Sequence, residues 1–351
     1  MSFLSSKSGS YLGVDIGASA IKCVELVGSK NSPKVKSWGI ESLEMGAIED
    51  GSIVQQNNVI TSLDALLSRC RVKTKNVAVA VSSSHAITKV VPMASDLTES
   101  EVEDLVEVEA AHFVPYAIDD VNLDFQLLGP TVSNPDNEQD ILIAACRTDI
   151  IDDYVSVIEE VGLLPSVVDI DTYAIQRLYA NQRMPNMNEK KAVAAFDVGV
   201  NTTKVVVFEG DEVIFNRQQK FGGSQLVNLV RQEYGLGFPE ALALLESESP
   251  PGDIVENVYQ PYMSLAANEF NRALQFFYSS SKHEAVSQVL FTGGVAGMPG
   301  FSKSMSRAMN INAQDLMDFS QFSVKGNRGA LVNNMGRLSV ATGLALRGLD
   351  S

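Results

Sequence analysis

The chain has 351 residues, 45% of them hydrophobic and 20% charged, and its formal net charge is −16 because 43 acidic side chains outnumber 27 basic ones. This length accommodates two or more compact units at roughly 150 residues each. A surface this acidic repels phosphate backbones and anionic lipid headgroups, which argues against binding of nucleic acid and against direct, polybasic binding to a membrane.

The start of the chain and its cysteines bear on the cellular setting. Residues 1–7 lack the apolar core of a signal peptide, and no apolar run approaches the roughly 18–20 residues that span a bilayer. The cysteines are few and far apart in the sequence, so they form neither a disulfide framework nor a zinc-binding pattern: Cys23, Cys70 and Cys146. A cytosolic, reducing setting is therefore expected.

The first predicted element is a β-hairpin at residues 11–26. An apolar strand runs into a short Asp-x-Gly turn at Asp15 and Gly17, and a second apolar strand follows. Glycine permits a positive φ or a close approach of another backbone segment. Taken alone, such a turn is usually only a tight hairpin.

Residues 85–163 are predicted to form a strand, a helix, two strands and a helix. The first helix begins with a capping box, since Thr98 is followed three residues later by Glu101. The two strands are predicted at residues 121–128 and 141–145, and a helix at residues 149–161 completes a βαββα unit. The acidic face of the first helix is interpreted as solvated surface.

A second copy of the hairpin lies at residues 193–208. Four residue types recur at matching offsets, in the pairs Asp15 and Asp197, Gly17 and Gly199, Lys22 and Lys204, and Val24 and Val206. A phosphate group clamped between two lobes needs such a pair of turns. The repeat therefore favours a shared ligand site over two unrelated hairpins.

The residue types in the two turns suit phosphate. Glycine leaves the turn amides open to phosphate oxygens, and the small polar side chains of Ser19, Asn201 and Thr202 add donors without blocking the approach. Lys22 adds a positive charge. Asp15 and Asp197 suit Mg²⁺ bound through water, because this ion keeps much of its hydration shell.

Two helices and a third glycine cluster follow the second hairpin. Helices are predicted at residues 225–234 and at about residues 254–279, separated by a Pro-rich break. A strand then leads into the cluster formed by Gly293, Gly294 and Gly297, and a helix begins after Pro299. This order places open backbone and a helix N-terminus against a flat or anionic ligand.

Two phosphate-type hairpins followed by a Gly-Gly cluster resemble the motif order of the actin-like ATPase superfamily, and within it the PilM family of type IV pilus assembly proteins. The resemblance runs over essentially the whole chain, and six segments carry it: residues 13–26, 166–179, 196–209, 221–223, 289–301 and 336–346. It implies an α/β fold of two lobes, each with a ribonuclease-H-like core, and a small βαββα insertion in the first lobe of the kind also found in FtsA.

The resemblance extends the list of nucleotide-binding positions. It matches Gly222 and Gly223 to the glycine pair before a second-lobe helix. The full predicted set is Asp15, Gly17, Ser19, Lys22, Asp197, Gly199, Asn201, Thr202, Gly222, Gly223, Gly293, Gly294 and Gly297, with Asp15 and Asp197 also the predicted Mg²⁺ residues. Asp171 falls near the family's water-orienting residue, although a helix N-cap is an equal alternative for it.

The sequence departs from the family pattern in the segment 238–246. Leu242 and Leu245 stand where the family usually has polar groups near the ribose. Binding of ATP or ADP with Mg²⁺ is therefore expected, whereas ATP hydrolysis is expected to be weak or absent.

The resemblance also divides the chain into parts. They are a first-lobe core at 1–84, the inserted subdomain at 85–163, a connecting helix at 164–191, a second-lobe core at 192–224, a helical subdomain at 225–285, further second-lobe core at 286–330 and a return helix at 331–351.

The function that the resemblance implies is an ATP-binding cytoplasmic scaffold of the type IV pilus inner-membrane complex. Its expected partners are the N-terminal cytoplasmic peptide of a PilN-like inner-membrane protein, bound near the inserted subdomain, and other pilus assembly proteins, with self-association an open possibility. The protein is expected to be cytoplasmic and held at the inner membrane through that partner.

Two alternatives come from the same superfamily. An FtsA-like cell-division filament protein would carry an amphipathic membrane helix at its C-terminus, and residues 345–351 show no such pattern. A small-molecule kinase would need an acidic base on the acceptor side and further substrate-binding insertions, and neither is evident. Walker-type loops and Gly-x-Ser-x-Gly elbows are missing from the sequence, which excludes P-loop and α/β-hydrolase chemistry.

Overall fold

The computed structural model describes residues 11–182, 191–245, 247, 249–319, 322–324 and 328–349. The chain divides into two compact units, the first formed by Met1–Arg177 with Val340–Ser351 and the second by Leu178–Ser339. Across these described ranges, no helix combines the length and the apolar character needed to cross a membrane.

The strands and helices follow one another in mixed order along the chain. The strands are β1 (Leu12–Ile16), β2 (Ala20–Ser29), β3 (Ser32–Ser42), β4 (Ile48–Glu49), β5 (Ser52–Ile53), β6 (Asn76–Val81), β7 (Ala86–Ala94), β8 (Val121–Pro130), β9 (Glu138–Arg147), β10 (Leu164–Ile170), β11 (Ala192–Val198), β12 (Thr203–Glu209), β13 (Glu212–Gln219), β14 (Gln288–Thr292), β15 (Ala313–Asp315) and β16 (Ser323–Val324). The helices are α1 (Gln56–Cys70), α2 (Glu99–Phe113), α3 (Thr148–Glu160), α4 (Asp171–Gln182), α5 (Gly223–Tyr234), α6 (Phe238–Leu245), α7 (Gln260–Ser280), α8 (Phe301–Met309), α9 (Arg328–Asn333) and α10 (Ser339–Leu346).

In the first unit, five strands lie in the order β10-β6-β1-β2-β3. Strands β1, β2 and β3 form an antiparallel meander, whereas β1, β6 and β10 run parallel. Five consecutive residues of β6 are buried, as expected of a strand that is covered on both faces. Helices α1 and α3 contribute Leu63, Tyr154 and Val157 to the core against this sheet.

The βαββα segment has its own three-stranded sheet in the order β7-β9-β8. The predicted capping box is confirmed, because the backbone N–H of Thr98 donates to Glu101 Oε2 (2.8 Å) and the N–H of Glu101 donates to Thr98 Oγ1 (3.4 Å). The strands are longer than predicted, since their ladder continues to the pair Pro130 and Gln139 after a bulge. Helix α3 begins at Thr148 and packs in the core of the main sheet rather than in that of the inserted sheet.

The second unit repeats the sheet of the first. Its strands lie in the order β13-β12-β11-β14-β15, with an antiparallel meander and then two parallel strands. Strands β11, β12, β13, β14 and β15 thus occupy the positions of β1, β2, β3, β6 and β10. The repeated core implied by the sequence is confirmed by this topology.

The core of the second unit is aromatic. Phe270, on α7, lies against Phe196, Phe291 and Phe221, with ring centroids 4.7, 5.4 and 5.9 Å away. The predicted helix at residues 254–279 is present, but its first turn, Val255–Tyr259, is a π-helix. The turn widens there because Pro261 has no N–H and its ring crowds the carbonyl four residues earlier.

The C-terminal helix α10 returns to the first unit and packs with little space for side chains. A Cβ atom on Gly343 would lie 1.9 Å from the carbonyl oxygen of Ala174 on α4. A Cβ atom on Gly13, in β1, would lie 2.0 Å from the carbonyl oxygen of Ala341. Both contacts are with backbone atoms that cannot swing aside, so α10 approaches α4 and β1 only because these two residues are glycines.

A buried carboxylate joins the same segments. Asp169, near the end of β10, is 1% exposed, and its Oδ2 atom lies 3.1 Å from Arg177 Nη2 and 2.9 Å from Arg347 Nη1. Burial alone would raise the pKa of Asp169. The two guanidinium groups and the backbone N–H of Ile170 outweigh that effect, so the pKa is lowered overall.

We expect Asp169→Asn to destabilise the protein by about 3–5 kcal/mol near pH 7, because it leaves two partly buried arginines without their counter-charge. The pKa of Asp169 is lower in the folded state. Its ionised form therefore stabilises the fold above the unfolded-state pKa of about 4, and this contribution is lost as the pH falls towards the folded-state value. Urea unfolding at several pH values measures both effects.

Asp64→Asn is the control, because Asp64 lies on the exposed side of α1. It should change the free energy of unfolding by less than about 0.5 kcal/mol. Equal stabilities of wild type and Asp169→Asn at neutral pH would contradict the role given to the buried ion cluster.

Candidate functional site

The turn between β1 and β2 carries an ion pair beneath a glycine. The N–H of Gly17 donates to the carbonyl oxygen of Ala20 (3.1 Å), which closes the turn. Asp15 and Lys22 face each other across the two strands, and Lys22 Nζ lies 3.0 Å from Asp15 Oδ2. A Cβ atom on Gly17 would lie 2.5 Å from Lys22 Nζ, so glycine leaves the space that the ammonium group occupies.

The turn between β11 and β12 reproduces this arrangement. The N–H of Gly199 donates to the carbonyl oxygen of Thr202 (3.0 Å), and Lys204 Nζ lies 3.8 Å from Asp197 Oδ2 across the strand pair. The exposed fractions of the four charged side chains are similar, at 14% for Lys22, 19% for Asp15, 20% for Lys204 and 14% for Asp197. Each unit thus presents the same carboxylate and ammonium pair, largely but not fully buried, beside a glycine turn.

Lys204 is the residue that sequence analysis left out of the predicted site. The repeat pairs it with Lys22, yet the prediction assigned a phosphate contact to Lys22 alone. The signal was the matching offset of seven residues from the aspartate in each copy. In the structure, the two lysines occupy equivalent register positions.

The donor set of the two turns fits a phosphate ligand. Ser19 and Asn201 are exposed at the turns, and Thr202 is half-buried, so small hydroxyl and amide groups stand beside each lysine. Gln218 lies opposite Lys204 on β13, and its Oε1 atom is buried without a hydrogen-bond partner in the part of the chain that the structure describes. A bound ligand or its hydration water would supply the missing donor.

Asp15 and Asp197 are the two residues predicted to hold Mg²⁺ through water. Among the described residues, no three His, Cys, Asp or Glu side chains come together closely enough to hold a metal ion. One carboxylate in each turn suits an ion that keeps several waters and takes its other ligands from phosphate oxygens. Asp15 and Asp197 are compatible with an indirect contact with Mg²⁺, which stays a prediction.

The glycine pair at the start of α5 holds the second turn in place. Gly223 N–H donates to the carbonyl oxygen of Gly199 (2.9 Å), and Ser224 N–H donates to that of Val200 (2.7 Å). A Cβ atom on Gly222 would lie 2.5 Å from the carbonyl oxygen of Gly199. The first amides of α5 are thus engaged by the hairpin, so the geometry gives Gly222 and Gly223 a positioning role beside the second turn.

The third glycine cluster begins at a strained position. Gly293 follows β14 with a φ of +91°, and a Cβ atom there would lie 2.4 Å from the carbonyl oxygen of Val198, at the end of β11. Its N–H donates to the carbonyl oxygen of Gly336 (3.0 Å). A short 3₁₀ turn follows, with Gly294 directly before it and Gly297 as its last residue. This cluster therefore lies at the same sheet edge as the turn that carries Asp197.

Asp171 is the first residue of α4 and is 4% exposed. Its Oδ1 atom accepts the N–H of Ser83 (3.1 Å), from the loop after β6. This bond ties the start of α4 to the neighbouring strand end. Water positioning by Asp171 remains a prediction.

The segment expected near the ribose is helix α6. Leu242 is 41% exposed and Leu245 is half-buried. The two positions where the family usually has polar groups therefore present apolar side chains. Glu246, at the end of the predicted segment, lies outside the described residues.

Two solved structures share this fold. A chain of the "PilM-PilN type IV pilus biogenesis complex" is similar with a TM-score of 0.82 and 22% sequence identity over 98% of this chain and 100% of that chain. Ethanolamine utilization protein EutJ from Carboxydothermus hydrogenoformans is similar with a TM-score of 0.59 and 16% identity, over 98% and 92% of the two chains. Together with the duplicated sheet, these similarities define an actin-like ATPase fold.

The sequence places the chain more narrowly within that class. Residues 13–349 match the family described as type IV pilus assembly protein PilM. Because the match spans nearly the whole chain, the protein belongs to this family.

We expect Gly293→Ala to destabilise the protein by about 2–5 kcal/mol, because the new Cβ adds left-handed backbone strain to a clash with a carbonyl oxygen. Chemical denaturation followed by circular dichroism measures the difference.

Gly300→Ala is the matched control, since Gly300 has a φ of +75° but a Cβ there would meet nothing within 4 Å. It should cost only the backbone strain, about 1–2 kcal/mol. Equal effects of the two substitutions would show that the approach of Val198 to Gly293 is not a constraint.

Proposed function

We propose that this protein is an ATP-binding scaffold of the type IV pilus inner-membrane assembly complex. The observation that carries the nucleotide part is the recurrence of one charged hairpin, with Asp15 and Lys22 in the first unit and Asp197 and Lys204 in the second. Membership of the PilM family supports the assembly role. In this proposal, one nucleotide is clamped by the turns of both units.

The two lysines and the turn amides would bind the phosphates. Each lysine is paired with an aspartate and is 14–20% exposed, so it is held in place yet accessible from solvent. A charge-assisted hydrogen bond from such a preplaced ammonium group is roughly twice as strong as a neutral one. Mg²⁺ bound with the nucleotide would neutralise phosphate charge, and Asp15 and Asp197 would orient its water ligands.

The adenosine end of the nucleotide would lie against the third glycine cluster. Gly293, Gly294 and Gly297 carry no side chains, and they follow β14, which pairs with the strand of Asp197. The flat backbone leaves space for an aromatic base. Leu242 and Leu245 of α6 offer no polar contact to the ribose, which supports a modest affinity for the nucleotide.

Weak or absent hydrolysis is part of the proposal. The carboxylate that would orient an attacking water, Asp171, is nearly fully buried and accepts a backbone N–H from Ser83. ATP would then act by binding one arrangement of the two units more tightly than another. The population of the tighter-binding arrangement would rise as a result. That shift would set the affinity for a protein partner.

The proposed partner is the N-terminal cytoplasmic tail of a PilN-like inner-membrane protein. The solved chain of similar fold belongs to a PilM-PilN complex, which supports this partner. On the inserted subdomain, β8 is an edge strand of the small sheet, and its Leu127 and Leu128 are 53% and 42% exposed. An extended peptide that adds to such an edge gains main-chain hydrogen bonds and apolar contacts.

Such a partner would place the protein at the cytoplasmic side of the inner membrane. The net charge of −16 opposes direct adsorption to anionic lipid, so a protein tail is the favoured tether.

We expect ATP–Mg²⁺ to bind with a stoichiometry of one, and Asp197→Ala to abolish the binding. Lys22→Ala should weaken it by roughly 10- to 100-fold, the equivalent of about 1.5–3 kcal/mol for a hydrogen bond to a charged group. Isothermal titration calorimetry measures both variants.

Lys34→Ala serves as the control for that titration, because Lys34 is an exposed residue of β3. It should bind ATP as wild type does. Unchanged ATP affinity in Asp197→Ala would overturn the paired-hairpin site, and phosphorylation of a sugar or carboxylate acceptor would overturn the scaffold in favour of a kinase.

We expect a synthetic peptide of the partner's N-terminal tail to bind the full chain, and Leu127→Asp to weaken that binding about tenfold or more. The substitution replaces an apolar contact worth about 1.5–3 kcal/mol with a charge. Fluorescence anisotropy of the labelled peptide measures the affinity.

Leu265→Asp is the matched control, since Leu265 is a similarly exposed leucine (46%) on α7 of the second unit. Equal loss in both variants would contradict the placement on β8. Failure of the peptide to bind wild type, with or without ATP, would contradict the proposed partner.

A further inference from the structure

Two cysteines that are 47 residues apart in the sequence meet inside the first unit. Cys23 lies on β2 and Cys70 is the last residue of α1, and their Sγ atoms are 4.0 Å apart. Neither is bonded to another cysteine. An S–S bond is about 2 Å long, so the two sulfur atoms would have to approach each other by a further ~2 Å to form one.

A glycine makes this approach feasible. Gly39, on β3, is the cross-strand neighbour of Cys23, and a Cβ atom there would lie 2.4 Å from Cys70 Sγ. The sulfur of Cys70 thus occupies the space that a side chain at position 39 would fill. It is held there by a hydrogen bond, since the Cys70 thiol donates to the carbonyl oxygen of Trp38 (3.2 Å).

The two thiols differ in access and in acidity. Cys23 is fully buried in the core of the main sheet, whereas Cys70 is half-buried at the end of its helix. Cys23 donates its S–H towards Cys70, which lowers the pKa of Cys70 and raises the pKa of Cys23, and the neighbouring Arg69 guanidinium further lowers that of Cys70. Cys70 therefore has the character of an attacking thiol, and Cys23 that of a second thiol that reacts afterwards.

A metal ion does not account for the pair. Within the residues that the structure describes, no third His, Cys, Asp or Glu side chain joins the two thiols to complete a metal-binding group. Two thiols at this distance, with one side open to solvent, suit reversible oxidation instead.

We propose that Cys70 and Cys23 form a redox pair that closes to an intramolecular disulfide when the protein meets a hydroperoxide. The Cys70 thiolate attacks one peroxide oxygen, the O–O bond breaks, and the alcohol or water derived from the peroxide leaves, with Cys70 now a sulfenic acid. The Cys23 sulfur then attacks the Cys70 sulfur, the S–O bond breaks, and the hydroxide leaves as water with the proton of Cys23. Two thiols are oxidised by two electrons, and the peroxide is reduced by two.

The bond would join the end of α1 to the strand of the first charged hairpin. Cys23 directly follows Lys22, and neighbouring side chains on a strand point to opposite faces. Oxidation thus anchors the face of β2 opposite the lysine to α1. The inference concerns the thiols alone and does not depend on nucleotide binding.

The test is a titration of the folded full-length chain with hydrogen peroxide, followed by thiol counting in denaturant and peptide mapping without reductant. Wild type should fall from three titratable thiols to one, and the mapping should yield one linked species that contains Cys23 and Cys70. Reductant should restore all three thiols. Peroxide treatment that oxidises Cys70 without any linked species would overturn the proposal.

Three variants separate the steps. Cys70→Ser should protect the buried Cys23 from peroxide, and Cys23→Ala should leave Cys70 as a sulfenic acid that a cyclic 1,3-dione traps. Cys146→Ser is the control, because Cys146 is buried and its burial raises the pKa of that thiol to about 12; this variant should form the same linkage as wild type. Linkage of either thiol to Cys146 in the folded wild type would contradict the pairing.

Discussion

The buried carboxylate of Asp169 is the interaction on which the first unit depends. It faces Arg177 on α4 and Arg347 after α10, so it joins stretches of chain that are 8 and 178 residues away from it. A lone carboxylate at this depth would be strongly destabilising, and a lone arginine pair would be as well. The three charges therefore favour the single arrangement in which the C-terminal segment packs back against β10 and α4.

The glycine contacts of α10 act at the same place by steric means. Gly343 lets α10 touch the backbone of α4, and Gly13 lets it touch β1. Gly13 lies on β1, two residues before Asp15, so the return of the C-terminal segment supports the strand that carries the first charged turn. Packing far from the turn thus contributes to the position of the lysine.

The other site glycines serve different physical roles. Gly17 leaves space for the ammonium group of Lys22, Gly222 admits the carbonyl groups of the second turn, and Gly293 supplies a positive φ against Val198. The sequence marks all three in the same way, as glycines in a motif. Only the structure separates a glycine that gives room to a side chain from one that gives room to a backbone. A methyl group at Gly17 is tolerated if the Lys22 side chain moves, whereas one at Gly222 or Gly293 would meet backbone atoms that cannot move aside.

The sequence by itself determined the repeat, the capping box of α2, the order of the inserted elements and the family, because these are patterns of short range or matches at fixed offsets. The tertiary structure decided the rest. It shows that Lys204 faces Asp197 as Lys22 faces Asp15, and that the second turn uses the first amides of α5. It also shows that Asp169 is the centre of a charge cluster and that Cys23 meets Cys70. Cysteines 47 residues apart and charges 178 residues apart show no periodicity, since their distance depends on how sheets and helices pack. For that reason, residue spacing predicted the turns of the candidate site, and packing determined the side chains that surround them.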